Sequence, residues 1–139
     1  MGQKINLCLH SELSQVKTAI QEVLSFLDDS APSMSPDDRM DLRLVYSELL
    51  SNAVIHGNNY DLEKCVYLTA EFKGETLYSS IRDEGPGFNY DSVVNAPRQA
   101  DIYDENGRGV MLAASLTDSF GYNRKGNLIY FYKRVKKSE

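Results

Sequence analysis

The sequence predicts an α+β fold: a two-layer α/β sandwich with helices on one face of a mixed, mostly antiparallel sheet. Three observations carry that expectation. Apolar and polar side chains alternate with a period of two over residues 3–9, 65–72 and 77–83, the signature of strands with one buried face. Apolar residues recur at helical spacing in two successive segments after the first strand. The resulting order, β-α-α-β-β-α-β-β, with alternating rather than continuously apolar strands, suits an antiparallel or mixed sheet covered on one side.

Each element follows from its own residues. In the first strand Ile5, Leu7 and Leu9 face one way and Asn6 and Cys8 the other. Ser11 then reads as a helix N-cap, and Leu13, Val16, Ile20, Leu24 and Leu27 form a helical stripe. Asp28-Asp29-Ser30-Ala31-Pro32 ends that helix. Ser35-Pro36-Asp37-Asp38 starts a second one, with a cap residue, a proline in the first turn and acids near the positive helix end. This helix is expected to reach Gly57, a natural stop. Residues 65–72 and 77–83 read as a hairpin around Lys73-Gly74-Glu75-Thr76. If Phe72 pairs with Leu77, then Ala70 faces Ser79 and Leu68 faces Ile81. A third helix fits 109–117, and two further strands fit 118–123 and 127–135, turned at Lys125-Gly126.

Composition sets the outer bounds. The chain has 139 residues, 42% of them hydrophobic and 25% charged, which suits one folded domain over 1–139. A net charge of −5 gives no basic footprint for nucleic acid or an anionic membrane. No apolar run approaches the roughly 18 residues of a membrane span. Cys8 and Cys65 form neither a metal-ligand spacing nor a disulfide framework, so they read as buried small hydrophobes in a reducing, cytoplasmic compartment. Lys133, Arg134, Lys136 and Lys137 read as a solvated strand end and tail. Tyr67 and Tyr78 fall on the polar sheet face, where tyrosine suits half-exposed strands.

Three segments carry candidate chemistry. Glu48, Asn52 and His56 are spaced by four on the second helix, so they share an arc of roughly 80° beside the stripe of Leu42, Val45, Tyr46, Leu49 and Ala53. A carboxylate at such an edge can act as a general base, and an Asn oxygen suits Mg²⁺. The same pattern also fits an ordinary amphipathic border. Asp83-Glu84-Gly85-Pro86-Gly87-Phe88 follows a strand; the aspartate can accept from an exocyclic amine such as that of adenine, although the composition is that of a turn. Glu105-Asn106-Gly107-Arg108-Gly109 precedes a helix, where backbone N–H groups and an arginine favour phosphate. No Walker A lysine follows.

Taken in order, these segments resemble the ATP-binding fold shared by gyrase, histidine kinase and mismatch-repair ATPases, the Bergerat or GHKL type. Glu48 to Asn59 looks like the N box, Asp83 to Phe88 the first glycine box, and Gly107 to Gly109 the second. The resemblance covers residues 3–135. It is strongest to the bacterial anti-sigma-factor serine/threonine kinases, whose Glu-x-x-x-Asn-Ala-x-x-His-Gly pattern stands intact here. By that resemblance Glu48 is the catalytic base, Asn52 the Mg²⁺ ligand and Asp83 the reader of the adenine amine. Gly85 and Gly87 shape the adenine-side loop; Gly107, Arg108 and Gly109 cradle phosphate. His56 packs under the site, and residues 88–106, with Arg98 and the acids from Asp101 to Glu105, form an ATP lid. The family's late Gly-Thr is Gly126-Asn127 in this chain, so Asn127 stands as the polar candidate there.

The implied activity is ATP- and Mg²⁺-dependent phosphorylation of an anti-anti-sigma protein, with a sigma factor as second partner and a homodimer as the assembly. A nucleotide-gated binding module with little kinase activity, and an ATPase module serving a larger sensor system, are the alternatives. A histidine-kinase reading finds too little chain for a phosphoacceptor helix and its dimerisation hairpin, and regulation is expected to come from partner proteins.

Overall fold

A computed structural model describes residues 3–87 and 105–137, with backbone only for 105–108. Strands β1 (Lys4–His10), β2 (Cys65–Lys73), β3 (Thr76–Arg82), β4 (Ser119–Tyr122) and β5 (Leu128–Arg134) form one sheet in the order β1-β2-β3-β5-β4. Every neighbouring pair is antiparallel, so the expected mixed character resolves to a purely antiparallel sheet. Phe72 pairs with Leu77, Ala70 with Ser79 and Leu68 with Ile81, as the alternation implied. The turn between them is tight enough to need positive φ, supplied by Gly74 at +62°.

Three helices cover one face: α1 (Leu13–Ser30), α2 (Pro36–Asn52) and α3 (Glu105–Ser115). Val16, Ala19, Val23 and Leu27 of α1 and Leu42, Val45, Tyr46, Leu49 and Leu50 of α2 are buried against Val66, Leu68, Ala70, Leu77 and Ile81 of the sheet. Removing these side chains from water is the main stabilising term. Across the layers Tyr46 Oη donates to Ser79 Oγ at 2.8 Å, and Ser79 in turn donates to the Thr69 carbonyl. A buried phenol therefore keeps a partner, and burial drives its pKa far up.

The starts and stops differ from expectation in three places. Ser35 caps α2, accepting from Asp38 N at 3.2 Å, but Ser11 does not cap α1; the cap position is Glu12, without a side-chain bond. Ser11 instead turns inward and donates to the Lys64 carbonyl at 2.8 Å. Helix α2 ends at Asn52 and runs into a π turn over Ala53–Gly57, where Asn58 N reaches the Ala53 carbonyl at 2.8 Å. Helix α3 begins at Glu105, four residues before the expected start, and turns Val110 and Ala113 to the core.

Lys133 is not a solvated tail residue. It is 8% exposed and donates to the Leu116 carbonyl at 2.7 Å, with Asp38 at 3.7 Å and Asp41 at 4.0 Å. The alternation of β5 turns it inward between Phe131 and Val135, and Asp38 meets it there. Asp38 also accepts from Lys136 N, so one carboxylate ties the start of α2 to the end of β5. The cysteines also depart from the expected burial. Cys8 is exposed and Cys65 half-buried, because both point to the open face of the sheet. Lys133→Met, which strands Asp38 in its pocket, is expected to cost about 3 kcal/mol, measured as a lower midpoint in urea unfolding at constant slope.

Candidate functional site

The site is assembled where α2 ends beside α3 and β3. Glu48, Ser51, Asn52, Ile55, His56, Tyr60 and Gly109 line one cavity of about 310 Å³. The π turn has a direct effect on that lining. Its wider loop carries more residues per turn, so each residue advances through a smaller angle than in an α-helix. His56 is thereby turned back toward the column of Glu48 and Asn52. It is exposed at the cavity wall, not packed beneath the site as the resemblance implied.

Gly109 brings the backbone of α3 against Glu48. A methyl group there would stand 2.6 Å from Glu48 Oε2, so any side chain at this position would push the carboxylate aside. Gly107 and Arg108 lie within the first turn of α3, in the right place for their backbone N–H groups to face an anion. The proposed lid at 88–106 falls mostly outside the described residues; only Glu105 and Asn106 enter the helix.

A second cluster adjoins this cavity at the far end of the π turn. Asp83 is 5% exposed. Its Oδ1 accepts from Gly85 N at 2.8 Å. Added side chains at Gly57 or Gly85 would collide, the first with the Asp83 carboxylate and the second with the Gly57 carbonyl. The helix end and the Asp83 loop are thus in backbone contact. Gly87, at φ +96°, packs in the same way against the Lys125 carbonyl of the β4–β5 turn. Burial pushes the Asp83 carboxyl up, against the Gly85 N–H and the Lys125, Lys64 and Arg82 charges, which pull it down.

Sequence reasoning missed two asparagines. Asn58, 1% exposed, donates through Nδ2 to Ser11 Oγ and the Cys65 carbonyl, both at 3.0 Å. Its Oδ1 accepts from Glu84 N at 2.7 Å. Asn123 folds the β4–β5 turn around its own Oδ1, which accepts from Gly126 N, Asn127 N and Leu128 N. Asn127 is engaged on both sides of its amide: Asn123 Nδ2 donates to Oδ1 at 2.7 Å, and Nδ2 donates to the Asp83 carbonyl at 3.3 Å. Asn59-Tyr60, with φ of +50° and +59°, is a second missed feature; the αL tendency of Asn was the available signal.

The described residues contain no group of three His, Cys, Asp or Glu side chains placed to hold a metal. The residues nevertheless fit Mg²⁺ arriving with a nucleotide, which needs only one or two protein oxygens beside phosphate. Asn52, buried on the cavity wall next to Glu48, is such a donor. No described helix is long and apolar enough to cross a membrane.

Residues 9–133 match the histidine kinase-like ATPase domain. The chain belongs to that family. An ATPase domain binds ATP, so ATP is the ligand class that the family implies. Similar curated proteins are anti-sigma F factors. That of Shouchella clausii is 34% identical over 89 residues, 64% of this chain and 60% of its own length. That of Bacillus subtilis is 37% identical over 78 residues, 55% of this chain and 52% of its own length. In these two alignments the chain spans between half and two thirds of the relative. That of Oceanobacillus iheyensis is 25% identical across all of this chain and 97% of its own length.

Asp83 gives the site a pH signature. A carboxyl whose pKa is raised by folding is bound more tightly to its proton in the folded state. Stability therefore falls as pH rises from the ordinary carboxylate range through the raised folded value. Asp83→Asn keeps the acceptor for Gly85 N and removes the buried charge. It is expected to raise Tm at pH 7, with a gain that shrinks as pH is lowered toward 4, while ATP affinity falls at least ~10-fold. Thermal melts across pH and ATP titration check both halves.

Proposed function

We propose that this protein is an ATP- and Mg²⁺-dependent serine/threonine kinase of the anti-sigma type, phosphorylating an anti-anti-sigma protein and binding a sigma factor. The observation that carries the reading is Glu48. Its carboxylate lies against Gly109 of α3 and shares a cavity with Asn52, so a base, a metal-binding oxygen and a helix start meet in one space. A passive binder has no need of that carboxylate. The names of the relatives support the sigma-factor side.

In this reading Asp83 accepts from the adenine amine, and Gly85 and Gly87 let the loop backbone lie close to the base. Asn127 braces Asp83 from behind instead of touching the nucleotide. The first turn of α3, with Gly107 and Arg108, faces the phosphates. Asn52 holds Mg²⁺, which when bound neutralises charge on the terminal phosphates. His56, at the cavity wall, borders the acceptor's path. Glu48 takes the proton of a seryl or threonyl hydroxyl as its oxygen bonds to the γ-phosphorus; the bond from that phosphorus to the bridging oxygen breaks and ADP leaves. The work of the site is positioning and charge neutralisation.

The reading also carries a homodimer. The outer edge of β1 is an unpaired ladder within the described sheet, which a second strand can extend.

Glu48→Gln keeps the shape of the cavity and removes the base. It is expected to bind ATP within ~3-fold of the parent and to lose at least ~100-fold in transfer. The measurement is γ-phosphate transfer to a cognate antagonist beside equilibrium ATP binding. Full transfer by this variant refutes the role of Glu48. ATP-dependent capture of sigma by the parent, with no transfer at all, assigns the protein as a binder.

A further inference from the structure

We propose that Asn58 is a positioning residue that holds Asp83 in register to read the exocyclic amine of the base, and so sets the preference for adenine over bases lacking that amine. The proposal rests on the reading of Asp83 as the adenine contact.

Asp83 lies in a loop with glycines at 85 and 87, which leave the backbone free to wander. A hydrogen bond to an amine is lost within a few tenths of an ångström or some tens of degrees of misalignment. Something must remove that freedom before the nucleotide arrives. On the β5 side this falls to Asn127: Asp83 N donates to the Asn127 carbonyl at 2.9 Å, and Asn127 Nδ2 donates back to the Asp83 carbonyl. On the helix side Asn58 holds the loop backbone through Glu84 N at 2.7 Å, while the Glu84 side chain accepts from Cys65 N and Tyr67 Oη on β2.

Asn58 is itself fixed. Both of its N–H groups are used, on Ser11 Oγ and the Cys65 carbonyl, and it follows directly on the π turn that carries Gly57 against Asp83. The position requires two donors and one acceptor in a single short planar group. Asparagine supplies them; aspartate has no donor, and alanine has neither. Asn58 does not line the cavity of Glu48 and Asn52. Its removal is therefore expected to affect base recognition and leave phosphate binding largely intact.

The test compares ATP with inosine triphosphate, which carries a carbonyl where adenine has its amine, in competition with a fluorescent ATP analogue on the full chain with Mg²⁺. The parent is expected to prefer ATP by at least ~10-fold. Asn58→Ala is expected to weaken ATP about 10-fold and inosine triphosphate less than ~3-fold, so the ratio collapses. Ser11→Ala removes a partner of Asn58 but leaves the bond to Glu84 N; it should lower Tm and keep the ratio. A folded Asn58→Ala protein that keeps the parent ratio overturns the proposal. Should that variant not fold, hydrogen exchange at the Glu84 amide of the parent decides: protection like that of interior β3 amides supports the clip, and exchange at open-loop rates overturns it. A parent that does not distinguish the two nucleotides removes the reading of Asp83, and this proposal with it.

Discussion

Two glycines with no room for a Cβ hold this structure to its plan. Gly57 ends the long helical segment against the Asp83 carboxylate, and Gly85 folds back onto the Gly57 carbonyl. This backbone contact sets how far the end of the helix stands from the end of β3. The cavity lies on one side of the contact and the Asp83 loop on the other. Any side chain at either position forces the two apart, because the neighbouring atoms are a buried carboxylate and a main-chain carbonyl, neither of which can swing away. The apolar core beneath determines that helix and sheet pack; the glycines determine where their ends meet.

Above the core the connections are held by polar side chains. Asn58, Asn123 and Asn127 each replace bonds that a regular ladder would make, and each sits where a loop backbone must be satisfied without secondary structure. Among the described residues, the arrangement leaves Asp83 as a buried acid with one donor on its carboxylate, Gly85 N. Its burial is unfavourable for the free protein. Such local cost at a binding loop is the usual trade of stability against recognition.

Much of this was visible in the sequence. Strand alternation fixed not only the strands but the register of β2 on β3, because a two-residue turn at Gly74 leaves one pairing that buries Leu68, Ala70 and Phe72 together. The apolar stripe of α2 and the Ser35 cap were equally plain. The missed features depend on contacts distant in the chain. Ser11 looks like a cap locally but is drawn inward by Lys64 and Asn58. Lys133 looks like tail charge until Asp38, far away in sequence, is brought beside it. The π turn cannot be read from spacing, since a wide turn leaves composition unchanged and merely reassigns which residue faces which way. That reassignment moved His56 from beneath the site to its wall.

Gly109 makes the backbone of helix α3 one wall of the cavity that holds Glu48. Its first turn holds Gly107 and Arg108, and the next residue, Gly109, lies against Glu48 with no side chain between. A helix is stiff along its axis, so a displacement of the first turn of α3 carries the Gly109 backbone with it. The place open to the Glu48 carboxylate is therefore bounded by the backbone of α3.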